Sequence, residues 1–117
     1  KKLCEGVSEN TKFEVMDSLD FLKNFDEKID LLYLDSMDAS VQGYQEHHLK
    51  EIELANKNLH EDSIILIDDS PAYETQWLKN GGKGALVIPH LLENGWKIFL
   101  RDYQTLLVRD KNVFNIA

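Results

Sequence analysis

Two short, nearly continuous apolar runs, each closed by carboxylates, constrain this chain more than any other feature. Ile29-Asp30-Leu31-Leu32-Tyr33-Leu34 stops at Asp35, and Ser63-Ile64-Ile65-Leu66-Ile67 stops at the pair Asp68-Asp69. Runs of this length, rich in Ile, Leu and Tyr, read as strands, and near-continuous apolarity is the pattern of a strand buried on both faces of a parallel sheet. Between them Ser36 to Gly43 is small and polar, and from Tyr44 to Leu59 the residues Leu49, Ile52, Ala55 and Leu59 share one helical face. Strand, helix and strand form a βαβ unit, whose crossover is right-handed.

The flanks extend the alternation. Phe13-Glu14-Val15-Met16 is a strand pattern that hands over at Asp17-Ser18, with Ser18 as N-cap, to a short helix carrying Leu19, Leu22 and Phe25 and running through Asn24. Ser70 to Gly84 mixes Pro, Tyr, Trp and Gly and reads as a loop with a turn of helix. Ala85 to Asn94 is helical by Leu86, Leu91 and Leu92; Pro89 kinks it or marks its real start, and Gly95 stops it. Trp96 to Arg101 and Gln104 to Arg109, separated by Asp102-Tyr103, form an antiparallel hairpin. The expected fold is α/β: a Rossmann-like, mostly parallel sheet with helices on both faces, Ile64 among parallel neighbours, and the hairpin as an antiparallel edge.

With 117 residues, 43% of them hydrophobic, there is material for one core and not two, so residues 1–117 are expected to form a single domain. A net charge of -8 without a basic cluster argues against nucleic acid as a partner. The longest apolar runs fall far short of the roughly 20 residues that span a bilayer. Cys4 is the single cysteine, and no apolar stretch follows the amino-terminal lysine pair, so a cytoplasmic location is expected.

Ligands of open α/β sheets bind outside the carboxyl ends of the strands, where Asp17, Asp35 and Asp68-Asp69 all fall. Neighbouring parallel strands lie about 4.8 Å apart, so carboxylates at their ends converge and repel. A hard cation such as Mg²⁺, with oxygen ligands at about 2.1 Å, relieves that repulsion, which makes Asp35, Asp68 and Asp69 the expected metal ligands. The competing explanation, capping and complementing a helix dipole, applies most directly to Asp17. His47 points more toward solvent, whereas His48 shares a helical face with Ile52 and Ala55. His48 is the candidate catalytic base, although a histidine on such a face is more often packed and hydrogen-bonded. Tyr73 and Trp77 would line a substrate pocket or plug the sheet edge.

These pieces resemble a known group. Val15-Met16-Asp17-Ser18, Ile29 to Ser36, His47-His48-Leu49-Lys50-Glu51, Ser63 to Asp69, Gly82-Lys83-Gly84 and the hairpin Trp96 to Arg109 are similar, in order and spacing, to the carboxyl-terminal part of class I S-adenosylmethionine-dependent methyltransferases. The subgroup is that of the metal-dependent small-molecule and sugar O-methyltransferases, and the resemblance spans residues 11 to 110. It implies that Asp17 contacts the adenine amino group of S-adenosylmethionine, with the Ser18 backbone N–H near the ring. It further implies that Asp35, at the end of the family's fourth strand, serves the cofactor side and, with Asp68 and Asp69, Mg²⁺. The reaction implied is methyl transfer to the hydroxyl of a small-molecule substrate, the metal positioning that hydroxyl and lowering its pKa. The family's first two strands, with their glycine-rich turn and ribose-binding acid, have no counterpart before Phe13, so the resemblance implies a fragment that alone binds cofactor poorly. Where catechol-type enzymes carry a lysine beyond the first metal aspartate, this chain has Asp38.

Two other readings compete. A non-catalytic α/β half-domain could serve oligomerisation, with a homo-oligomer as its product. Leu66-Ile67-Asp68-Asp69 is also similar to the opening of a response-regulator receiver, which would need a downstream acceptor aspartate; Asp110 is near the right offset but follows a hairpin.

Overall fold

The computed structural model of the chain describes residues 16–37, 40–73 and 82–110. The first expected strand, apart from Met16, lies outside them, as do Cys4, Asp38 and Trp77. The described elements are α1 (Ser18–Asn24), β1 (Ile29–Leu34), α2 (Tyr44–Ala55), β2 (Leu59–Ile67), α3 (Val87–Glu93), β3 (Trp96–Arg101) and β4 (Thr105–Arg109). Short 3-10 turns at Asn56–Asn58 and Gly82–Gly84 precede β2 and α3.

The four strands form one sheet in the order β1-β2-β4-β3. β1 and β2 are parallel, with Leu34 opposite Ile67 at their carboxyl ends. β4 is antiparallel to both of its neighbours. The α/β class and the terminal hairpin are therefore present, but the sheet is mixed and not mostly parallel: Ile64 lies beside Val108 of the antiparallel β4. The cause is which hairpin strand docks. A tight turn at Asp102–Gln104, closed by the Asp102 N–H on Gln104 O, forces β4 to reverse, and β4 rather than β3 takes the place next to β2.

Helices over both faces were also expected, and the described helices cover one. Leu34, Ile65, Ile67, Leu107 and Trp96 point to that face and form one cluster with Ile52 of α2 and Val87, Ile88 and Leu91 of α3. On the opposite face Leu31 is 59%, Tyr33 47% and Leu100 66% exposed, so β1 is not a strand buried on both sides. α1 packs against α2.

Element ends deviate from the sequence pattern for local reasons. α2 stops at Ala55, not Leu59, because the next residues are used elsewhere. Asn58 Nδ2 donates to Phe25 O and Glu27 O, and Lys57 Nζ to Leu22 O. β2 starts early, at Leu59, and Ser63 Oγ bridges its irregular stretch by donating to Ile29 O while accepting from the His60 N–H. Asp17, not Ser18, is the N-cap residue of α1, and Ser18 is its first helical residue. Pro89 is the third residue of α3, where the missing N–H has no intrahelical partner to lose, so it marks the start and not a kink. Gly95, in the left-handed region at φ 86°, follows the end of that helix as expected.

Candidate functional site

The parallel register of β1 and β2 continues one step past the strands, where the Asp68 N–H donates to Leu34 O. Asp35 and Asp68-Asp69 therefore leave neighbouring strands at the same level. One oxygen from each of the three carboxylates lies within 4.8 Å of the others. This brings together the three expected metal ligands, all with the hard oxygen donors that Mg²⁺ or a similar ion takes. Asp69 holds φ 47°, in the left-handed region that few residues other than Gly adopt, and its N–H is tied to Asp68 Oδ1 at 2.9 Å.

A cation of the chain itself is already there. Lys83 Nζ lies 2.6 Å from Asp35 Oδ1 and 3.2 Å from Asp69 Oδ2, and the residue is only 2% exposed. Its own N–H donates to Asp69 O, and the side-chain amide of Gln45 donates to Gly82 O. Gly84 lets this turn sit down: a Cβ there would come within 2.5 Å of Ile88 Cδ1 and 3.0 Å of Ser70 Cβ. Burial works against the Lys83 charge, yet its hydrogen bonds and ion pairs with Asp35 and Asp69 prevail and raise its pKa above the ordinary lysine value.

The solvent side of the cluster is ringed by polar groups from the rest of the sheet end. Burial pushes the Asp68 pKa up, but donors from Gln104, the Asp69 N–H and Tyr33, with the charge of Lys83, outweigh it and hold that carboxyl below its usual range. Gln104 Nε2 reaches Asp68 Oδ1 at 2.9 Å. The Tyr103 hydroxyl hydrogen-bonds Asp69, which pushes its pKa up to about 12. Desolvation and the charges of Asp68 and Asp35 raise that of Tyr33. Three carboxylates against one ammonium, with neutral tyrosines, leave a local charge near -2, which suits a divalent cation.

The remaining predicted residues sit elsewhere. His48 is fully buried; its Nδ1–H donates to Tyr44 O at 2.6 Å, and burial lowers its pKa. It lies inside α2's packed face, the commoner role for such a histidine, and is sealed from any substrate in the described structure. Beside it Glu51 is also buried and accepts a hydrogen bond from Ser36 Oγ at 2.7 Å. His47 lies 3.7 Å from the same carboxylate oxygen and hydrogen-bonds Ser18 Oγ at 3.2 Å. Ser18 is thus linked through α2 to the residue that follows Asp35. Asp17 is exposed, is not one of the clustered carboxylates, and makes no side-chain cap to α1. Tyr73 is on the surface with its hydroxyl donating to Asp102. Asp110, the receiver-type candidate, ends the antiparallel β4 beside Gly95 O, at the opposite end of the sheet from Asp68.

Sequence reasoning did not single out Lys83, Glu51, Tyr33, Tyr103 or Gln104. Lys83 had a usable signal, since a lysine between two glycines can be packed in where bulkier neighbours would hold it off. No family model, curated protein or solved structure matches this chain.

Proposed function

We propose that this chain forms the acceptor-side half of an S-adenosylmethionine-dependent O-methyltransferase acting on a small-molecule hydroxyl with a divalent cation. The observation that carries the reading is the convergence of Asp35, Asp68 and Asp69 at the carboxyl ends of two adjacent parallel strands. The terminal hairpin on the same sheet agrees with it. In this reading those three side chains hold the cation, which when bound orients the acceptor hydroxyl and lowers its pKa. Lys83 holds Asp35 and Asp69 together from beneath, Gln104 fixes Asp68, and Tyr33 and Tyr103 border the acceptor. Asp17 and the Ser18 N–H serve the adenine end of the cofactor.

The test is calorimetric titration of S-adenosylmethionine, with and without Mg²⁺, into the gene's full reading frame and into residues 1–117. The reading expects binding by the full frame and weak or no binding by the 117-residue chain. Absence of binding to the full frame would refute it. A second reading, a non-catalytic α/β half-domain used in oligomerisation, is favoured by one observation: the apolar outer face of the sheet, with Leu31, Phe99 and Leu100 exposed.

A further inference from the structure

The acidic cluster is occupied by an internal ammonium, and that has a consequence for any external cation. Lys83 Nζ engages one oxygen of Asp35 and one of Asp69, two of the three carboxylates that the proposed ion requires. A metal ion about 2.1 Å from Asp35 Oδ1 would stand no more than about 4.7 Å from Nζ, because Asp35 Oδ1 is bonded to both. Two positive centres at that range in a partly buried site repel strongly. Lys83 is not placed to swing away at no cost. It is 2% exposed, its backbone N–H is bonded to Asp69 O, and Gly84 beside it is wedged against Ile88 and Ser70.

We infer that Lys83 is a tethered counter-ion that holds the strand-end carboxylates together and opposes the binding of a divalent cation to them. Its geometry sets a threshold: the cluster fills only when the divalent ion overcomes an ammonium already in contact with its ligands. The arrangement also accounts for three carboxylates staying within 4.8 Å of one another in a chain of net charge -8. The inference rests on the proposed metal reading, and its test separates the two.

Mn²⁺ alone is titrated calorimetrically into the full chain as wild type, Lys83→Met and Asp35→Asn. The expected result is at least tenfold tighter binding by Lys83→Met than by wild type, and loss of binding by Asp35→Asn. Binding by Lys83→Met with none by wild type is the stronger form of the same result. Wild-type binding that Lys83→Met leaves unchanged or weakens overturns the inference and leaves the metal reading standing. No binding by either protein overturns both. Circular dichroism checks folding; if Lys83→Met does not fold, Lys83→Gln, which keeps the length and a donor without the charge, carries the same expectation.

Discussion

Replacing Glu51 by Gln should stabilise this protein, although it removes a buried side chain's charge. His48 Nε2 and Glu51 Oε1 are both sealed from solvent, lie 3.9 Å apart, and have no hydrogen-bond partner among the described residues. Since His48 donates its Nδ1–H to Tyr44 O and burial favours the neutral ring, Nε2 presents a lone pair to a carboxylate oxygen. Two acceptors facing each other leave two buried polar atoms unsatisfied, each worth about 1–3 kcal/mol. A glutamine can keep its oxygen as acceptor for Ser36 Oγ and turn its amide toward His48. The 3.9 Å gap must close for that bond to form, so the net gain is set at the low end, about 1 kcal/mol, or roughly 4 °C in Tm for a domain of this size. The gain has a pH signature. A histidine whose folded pKa is depressed below 6.5 makes the protein less stable as pH falls below 6.5, because the unfolded chain takes up the proton first. Glu51 partly counters that depression, so Glu51→Gln depresses it further, and its advantage shrinks once pH falls below the folded His48 pKa of the wild type. Urea denaturation at pH 7.5 and in steps down through the acid range measures both. A variant less stable than wild type at pH 7.5, or a gain that grows as pH falls, would refute the reasoning.

Two further predictions probe the sheet and the cluster. Leu107→Ala, at a fully buried position in the centre of β4, should cost about 2–5 kcal/mol in urea denaturation, whereas Leu100→Ser, on the exposed face, should change stability by less than about 0.5 kcal/mol and reduce binding of a hydrophobic dye; equal costs would show that the outer face is covered in solution. The folded pKa of Asp68 is below its ordinary value, so its contribution is present above about pH 3.9 and is lost as pH falls through the folded value; Asp68→Asn should flatten the stability profile on the acid side of pH 4, and an unchanged profile would remove Asp68 from the cluster's electrostatics.

The positions of the carboxylates were legible because strand ends are punctuated in sequence. The apolar runs stop at Asp35 and Asp68, and both strands end one residue earlier, at Leu34 and Ile67. What could not be read was burial on a single face. An unbroken apolar run such as Leu31-Leu32-Tyr33-Leu34 has the same pattern whether one face is covered or two, and the described helices cover one. The end of α2 was hidden for a different reason. Periodicity carries on through Leu59, and the helix stops because Asn58 and Lys57 are recruited by carbonyls of Leu22, Phe25 and Glu27 about thirty residues away in the chain.

The pairing of the hairpin is instructive because a signal was present and pointed the right way. An antiparallel hairpin can dock on a sheet by either strand, and hydrophobicity alone does not choose. Edge strands, however, tend to carry charge where a central strand cannot. Lys97 and Arg101 lie within Trp96–Arg101, whereas Thr105-Leu106-Leu107-Val108 carries no charge until Arg109. The uncharged strand is the one that must be covered on both sides by neighbours, and it is β4 that lies between β2 and β3. Its inner face, Thr105 and Leu107, is fully buried, while Lys97 and Phe99 of β3 are exposed at the rim. The same docking sets the candidate site. With β4 beside β2, Gln104 at its start falls within 2.9 Å of Asp68, and Tyr103 before it reaches Asp69. Had β3 taken that place, the start of β4 would stand one strand farther from the carboxylates, and Gln104, the first of the donors that hold Asp68 below its usual range, would be out of reach.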